Sequence, residues 1–254
     1  MAFLQVNNVE VAGMAAAVPT MVENNVDIYG KWEGYENFVA TTGIERHRKS
    51  NHSTCSSDLC QAAAEKLIAE LGWEKESIDA LVFVSQTPDY IAPTTSCLLQ
   101  YKLGLSENCY TLDISLGCSG WVYAFSVISA LMQNGTFARG LLLAGDTILK
   151  VASSEDKSTY PLFGDAGTAT ALEYNIGSAG LKFSFNTDGS GSEAIIIRDG
   201  GYRNPVSKES FVMKERGESI KSNLLQVELN GMDVFSFGIS KAPASVKAYW
   251  ITLI

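Results

Sequence analysis

Histidine, positive charge and long apolar runs are all scarce in this chain of 254 residues. It has two histidines, and 19 lysines and arginines stand against 28 aspartates and glutamates, which gives a net charge of −9. Such a surface repels a phosphate backbone, which argues against nucleic acid as a partner. No apolar run approaches the length that spans a bilayer, and the first residues lack the basic and apolar regions of a signal peptide. We therefore expect a soluble cytoplasmic protein with no membrane partner.

The five cysteines form no recognisable framework. There is no CxxC pair, and no histidine lies at the spacing of a metal ligand. An odd count without a framework suits free thiols in a reducing compartment. We expect no metal site among the five, which are Cys55, Cys60, Cys97, Cys109 and Cys118.

Apolar, β-rich runs alternate with helical patterns along most of the chain. Residues 80–84 are continuously apolar, which is typical of a strand buried on both faces of a parallel sheet. The predicted strands are 6–18, 78–85, 110–115, 140–144, 165–174 and 180–186. The predicted helices are 28–40, 57–71, 94–103, 120–133 and 231–250, the last either interrupted at Pro243 or beginning after Asn230 and adjusted to the proline. This alternation indicates an α/β layer fold.

Two polar segments separate the regular elements. Residues 41–51 carry Arg46, Arg48 and Lys49 around His47, a composition typical of a solvated loop; the alternative is a segment at the edge of a site. Residues 200–222 are also rich in charge and predict a polar loop. Residues 164–167 (GDAG) lack the lysine and spacing of a phosphate-binding loop, so we expect a tight turn before a strand.

Cys118 lies where a predicted strand passes into a predicted helix, within the stretch LDISLGCSGW at 112–121. The first amide N–H groups of a helix have no intrahelical partners, and its macrodipole is positive there. Both favour a thiolate, the reactive form of cysteine. The alternative is a small buried residue that packs beneath the helix.

This stretch resembles the nucleophile segment of the 3-oxoacyl-ACP synthase III family, condensing enzymes of the thiolase-like fold. Three further motifs agree in order and approximate spacing: TGIERH at 42–47, FGDAG at 163–167 and NGMDVF at 230–235. The resemblance runs from about residue 6 to about residue 249. It implies an αβαβα arrangement of two similar halves, with 1–176 as the first half and 177–254 as the beginning of the second.

The resemblance also implies a reaction. Cys118 would take an acyl group from acyl-CoA or acyl-ACP and condense it with malonyl-ACP, in fatty-acid or related biosynthesis and without a cofactor. Acyl carrier protein is then a partner, and the family habit is a homodimer. The residues that match the lining of the phosphopantetheine tunnel are Thr42, Leu162, Phe163, Gly231 and Phe235, with Lys157 at its mouth. For Phe163 and Phe235 the alternative is ordinary core packing.

Several positions depart from the family pattern. Asn37 matches an aromatic that stacks on the adenine of coenzyme A, and Thr41 matches its basic partner, which favours an acyl-ACP donor or a specialised pathway. The family's histidine and asparagine for malonyl-ACP have no match, since His47 and His52 both precede Cys118. We therefore expect a C-terminally truncated chain with impaired condensation. The alternatives are acyl transfer to a non-malonyl acceptor and an inert or partner-dependent interaction module.

Overall fold

The computed structural model of the chain describes residues 2–218 and 220–253. Its strands are β1 (Ala2–Val6), β2 (Val9–Ala17), β3 (Val22–Asn24), β4 (Arg46–Arg48), β5 (Ala80–Val84), β6 (Tyr110–Ile114), β7 (Arg139–Asp146), β8 (Ala166–Tyr174), β9 (Leu181–Phe185), β10 (Ile195–Ile196), β11 (Lys214–Gly217), β12 (Ile220–Ser222) and β13 (Glu228–Leu229). Its α-helices are α1 (Asn25–Tyr29), α2 (Tyr35–Thr42), α3 (Ser56–Leu71), α4 (Thr95–Leu103), α5 (Gly120–Met132) and α6 (Gly231–Leu253). The predicted halves and the predicted polar loop also include residues 1, 219 and 254, which lie outside the described residues.

A five-stranded sheet in the order β2-β8-β7-β5-β6 forms the centre of the fold. β5 runs parallel to β6 and β7, while β8 runs antiparallel to β7 and β2. Every residue of β5 is buried, as predicted for a strand covered on both faces. Because β5, β6 and β7 are parallel, their carboxyl ends meet at one edge of the sheet.

Helices cover both faces of this sheet. α3 and α4 pack on one face, where Leu67 and Leu99 are buried against Leu81 and Leu141. Burial of each large apolar side chain contributes about 1.5–3 kcal/mol. α3 ends at Gly72, as predicted, because glycine readily adopts the left-handed φ of 63°. The sequence predicts Ser57 as its capping residue, but the N-cap is Cys55 and the helix begins at Ser56.

α5 lies between the central sheet and a second, two-stranded sheet. β1 and β9 pair antiparallel. Phe125 of α5 meets Phe183 of β9 edge to face, with ring centroids 5.6 Å apart. The inner side of α5 packs on the central sheet through Ile128 and Val82. The alternating sheet and helix layers predicted from the sequence are confirmed.

The structure corrects two predicted elements near the N-terminus. The single strand at 6–18 is two strands, broken at Asn8, whose φ is 61°. The single helix at 28–40 is wrong: α1 ends at Gly30 and α2 begins after Gly34, and the segment between them is a turn that carries Trp32. Glycine costs more conformational entropy in a helix than other residues, so two glycines four positions apart interrupt it.

The two polar segments are more ordered than predicted. β4 pairs with β3, and His47 within it is buried, so the solvated loop expected at 41–51 is wrong for these residues. The polar loop at 200–222 contains the paired strands β11 and β12. α6 begins after Asn230, whose side chain accepts the Asp233 N–H at 3.4 Å, and continues past Pro243. This is the second of the two alternatives for that helix.

Among the described residues, no helix is both long and apolar enough to cross a membrane.

Candidate active site

Cys118 lies in the short turn between the end of β6 and the start of α5. The Gly120 N–H donates to the Gly117 carbonyl at 2.8 Å, and the Tyr123 N–H donates to the Ser119 carbonyl at 3.1 Å. These bonds close the first turns around the cysteine, whose thiol is free and exposed. The alternative of a small buried residue under the helix is therefore wrong. Cys118 directly precedes Ser119, the N-cap of α5, so it lies at the N-terminal end of that helix.

Two glycines let this turn lie against β5. A Cβ at Gly120 would be 2.6 Å from Cγ1 of Val84, the last residue of β5. A Cβ at Gly117 would be 2.5 Å from Oε1 of Gln86. A larger residue at Gly120 would push the turn away from the buried Val84, whereas one at Gly117 would displace the exposed Gln86 carboxamide.

The loop that follows β5 faces the same edge and is held by Asp146, the last residue of β7. Its Oδ1 accepts the Gln86 N–H at 2.8 Å and the Thr87 hydroxyl at 2.9 Å. Sequence reasoning missed Asp146 and Gln86. The signal was present, because polar residues directly follow the apolar runs of neighbouring parallel strands, and ligands bind at such carboxyl ends.

Three of the predicted tunnel residues lie around one apolar cluster. Phe163 is half-buried and packs against the cluster that includes Tyr160. Leu162 precedes it and is 36% exposed. Lys157 places its Nζ 5.3 Å from the centre of the Trp32 ring, which packs on the same cluster. Core packing thus accounts for part of the Phe163 side chain.

The other predicted tunnel residues have different surroundings. The Thr42 hydroxyl donates to the Phe38 carbonyl at 2.8 Å and accepts the Ile44 N–H at 3.2 Å, so it helps to end α2. Gly231 is the first residue of α6, and Phe235, one turn later, is 63% exposed. The core-packing alternative is wrong for Phe235.

Trp32 is a third residue that sequence reasoning missed as part of a candidate site. It lines an open cavity of about 910 Å³ between α1, the turn after it and β11–β12. By the resemblance, Asn37 occupies the position of the family's adenine-stacking aromatic residue. In the structure, the aromatic ring beside Lys157 is that of Trp32. The cavity walls carry both signs of charge: Lys31, Lys157, Lys221, Glu33, Glu155, Glu215 and Glu218.

A partly buried polar cluster joins β3 and β4 to the turn at Tyr160. The Glu23 carboxylate is 3.0 Å from His47 Nε2, and it accepts from Lys49 Nζ at 3.1 Å and from the Tyr160 hydroxyl at 2.8 Å. Lys49 also donates to the Tyr160 hydroxyl at 2.7 Å. Burial alone would raise the pKa of Glu23, but these hydrogen bonds outweigh it and hold that pKa below its ordinary value. The cluster fixes the turn that leads to Leu162.

The layered α/β fold with a cysteine at the strand-to-helix turn defines the class of this protein, a thiolase-like condensing enzyme. The 3-Oxoacyl-[acyl-carrier-protein (ACP)] synthase III family model matches residues 112–189, which contain that turn. The beta-ketoacyl-[acyl-carrier-protein] synthase III of Streptococcus pneumoniae is 31% identical over 248 residues, which are 97% of this chain and 71% of that protein. The enzyme of the same name from Chlamydia pneumoniae is 31% identical over 91% of this chain and 67% of its own length.

Solved structures agree with the sequence relatives. A crystal structure of a 3-oxoacyl-(acyl-carrier-protein) synthase III superposes with a TM-score of 0.90 and 32% identity, over 95% of this chain and 73% of that chain. The 3-oxoacyl-(acyl-carrier protein) synthase of Burkholderia xenovorans LB400 gives a TM-score of 0.88 and 36% identity, over 97% of this chain and 70% of that one.

The chain belongs to the 3-oxoacyl-ACP synthase III family. The predicted family, thiolase-like α/β fold and acyltransferase class are confirmed. The chain spans 67% to 71% of the length of these two curated relatives.

Proposed function

We propose that Cys118 is the acyl-accepting nucleophile of this synthase. The observation that carries the proposal is its exposed, free thiol in the turn before α5, inside the segment that the family model matches. The thiolate attacks the carbonyl carbon of an acyl thioester, and a new S–C bond forms as the donor's C–S bond breaks. The proton from Cys118 leaves with the released donor thiol.

In the second stage the acyl group passes to malonyl-ACP. Loss of carbon dioxide leaves a carbanion at the malonyl carbon, which attacks the acyl carbonyl and releases the Cys118 thiolate. Neither histidine of the given sequence suits this stage: His47 is buried against Glu23, and the resemblance aligns the segment of His52 with a different part of the family.

Trp32 supplies the ring for a coenzyme A donor. Its position beside Lys157 brings an aromatic face and a cation to one cavity, and this offsets the loss of a ring at Asn37. Base–aromatic stacking contributes about 1–3 kcal/mol per base. The four glutamates on the same walls oppose a polyphosphate, so the arm of acyl-ACP, with its single phosphate, remains a competing donor.

The remaining features of the proposal concern organisation. The chain functions in the cytoplasm with acyl carrier protein as its partner and as a homodimer. Support for a dimer comes from β6, an edge strand of the central sheet directly before Cys118. The division into 1–176 and 177–254 is supported by the end of β8 at Tyr174, which completes the sheet, although β1 pairs with β9 across that boundary.

A partner-dependent interaction module is the second candidate, and one observation favours it. α6 exposes large apolar side chains along its length, a feature of surfaces that meet another polypeptide. These side chains are Met232, Phe235, Phe237, Ile239, Val246 and Trp250.

A loading assay separates these functions. The protein is mixed with an acyl-CoA, and the release of coenzyme A thiol is followed together with the intact mass of the protein. We expect one acyl group per chain in the starting protein and in Cys97→Ala, and none in Cys118→Ala. Cys97 is the matched control because it is also free and exposed. Equal loading of Cys118→Ala contradicts the proposal, and a chain that binds a partner but never loads supports the interaction module.

A further inference from the structure

The loop of residues 85–87 lies beside the turn that carries Cys118. Val84 and Ile114 are paired in the neighbouring parallel strands β5 and β6. The Ser85 N–H then donates to the Ile114 carbonyl at 3.3 Å. The two loops therefore leave the sheet side by side at its carboxyl edge.

The backbone of this loop is fixed from two sides. Oδ1 of Asp146 accepts the N–H groups of Gln86 and Thr87 at 2.8 and 3.0 Å, and it also accepts the Ser85 hydroxyl at 2.9 Å. The Thr87 carbonyl accepts the Ser56 hydroxyl of α3 at 2.8 Å. Hydrogen bonds to a carboxylate are stronger than those between neutral groups. Gln86 thus projects from a rigid support.

The Gln86 carboxamide lies directly against the residue before Cys118. A Cβ built on Gly117 would be 2.5 Å from Oε1, 2.8 Å from Cδ and 3.2 Å from Nε2 of Gln86. The amide group therefore fills the space that a side chain at 117 would occupy. Gln86 is exposed, and in the part of the chain that the structure describes its carboxamide has no hydrogen-bond partner.

We propose that Gln86 is a specificity-determining residue, whose carboxamide hydrogen-bonds a hydroxyl or oxo group near the thioester of the acyl chain on Cys118. This inference rests on the proposed role of Cys118. A carboxamide has two N–H donors and one carbonyl acceptor, so it serves either group. A wholly aliphatic chain laid against it leaves these atoms desolvated and unpaired. Sites built around such a group discriminate against substrates that lack the matching polar atom.

A competition experiment measures this preference. The protein receives equal amounts of butyryl-CoA and 3-hydroxybutyryl-CoA, and the ratio of the two acyl-proteins is read from the intact mass. We expect the hydroxyacyl form to be favoured, and Gln86→Leu to reduce that preference about fivefold, the worth of one net hydrogen bond. Leucine keeps the bulk against Gly117. Gln61→Leu is the matched control, because Gln61 lies on α3 and bonds Glu65.

The outcomes separate the two proposals. If Cys118 is acylated and the ratio is the same in Gln86→Leu as in the starting protein, the Gln86 inference is wrong and the role of Cys118 stands. If Cys118 is not acylated at all, both are wrong. Should Gln86→Leu lose its cooperative thermal transition, Gln86→Glu replaces it. The ionised glutamate side chain accepts hydrogen bonds but donates none. We therefore expect Gln86→Glu to lose the preference for 3-oxobutyryl-CoA over butyryl-CoA, because an oxo group needs a donor, and to keep the preference for 3-hydroxybutyryl-CoA.

Discussion

The five thiols of the chain differ in what surrounds each sulfur. Burial raises the pKa of Cys60 to about 12 and that of Cys109 to about 11, so both remain protonated at neutral pH. Cys97 is exposed, and its hydrogen bonds with Thr111 and Thr94 lower its pKa. Cys97 is therefore the thiol most able to react in place of Cys118, which is why it serves as the control for loading.

At Trp32 we predict a defect confined to coenzyme A substrates. Trp32→Ala removes the ring beside Lys157, and the KM for an acyl-CoA in the loading step rises about tenfold, within the range of a lost stacking contact. The KM for the same acyl group on acyl carrier protein changes little, because that donor has no adenine. Trp250→Ala, which removes an exposed tryptophan from α6, is the control. A rise that is equal for both donors contradicts the assignment.

At the scale of elements, the sequence predicts the layered part of the fold well. β5, β6, α3, α4 and α5 follow from apolar spacing and glycine stops, and the structure confirms each of them. α3 and β5 were predictable because their buried residues repeat regularly along the chain, on one face of the helix and on both faces of the strand. The turn with Cys118 was predictable for the same reason, since it only requires a strand followed by a helix.

The elements that were missed depend on contacts between distant parts of the chain. β4 looks solvated because it contains Arg46, His47 and Arg48, yet His47 is buried through its pairing with Glu23. Such pairing has no local signal. Trp32 was missed for a related reason: its surroundings include Lys157, far along the sequence.

The Glu23 cluster predicts a pH-dependent stability. The pKa of Glu23 in the folded protein is below its ordinary value of 4.5. Its contribution to the free energy of unfolding is therefore present above pH 4.5 and is lost as the pH falls through the pKa of the folded state. Burial alone would lower the pKa of Lys49, but its bonds to Tyr160 and Glu23 raise it above 10.5. That contribution is therefore present below 10.5 and lost at higher pH.

Glu23→Gln tests this cluster. Between pH 4.5 and pH 10.5, the ordinary pKa values of Glu23 and Lys49, we expect this substitution to lower the melting temperature by about 2–8 °C. The reason is a decrease of about 1–2 kcal/mol in the free energy of unfolding. The difference from the starting protein should narrow as the pH falls below 4.5. Glu36→Gln, a change at an exposed site on α2, should have little effect at any pH. Thermal unfolding followed by circular dichroism over this pH range measures both. A constant difference at every pH contradicts the charged role of Glu23.

At the scale of the whole molecule, the residues of the proposed reaction site lie at one edge of the central sheet. β5, β6 and β7 end there, and their loops bring Gln86, Cys118 and Asp146 together. Helices cover both faces of the sheet behind this edge, and the wall of the cavity around Trp32 includes Lys157, which shortly precedes the turn at Tyr160–Leu162. The family and the exposed thiol at this edge support the proposal that acyl loading takes place there.

The position of the transferred acyl group tests this account most directly. The protein is incubated briefly with acetyl-CoA and digested under acidic conditions, and the modified peptide is sequenced by mass spectrometry. We predict that the acetyl group is on the sulfur of Cys118 and that the peptides of Cys97 and Cys55 are unmodified. An acetyl group on another cysteine with Cys118 unmodified, or no acetylation in a folded protein, would contradict the account.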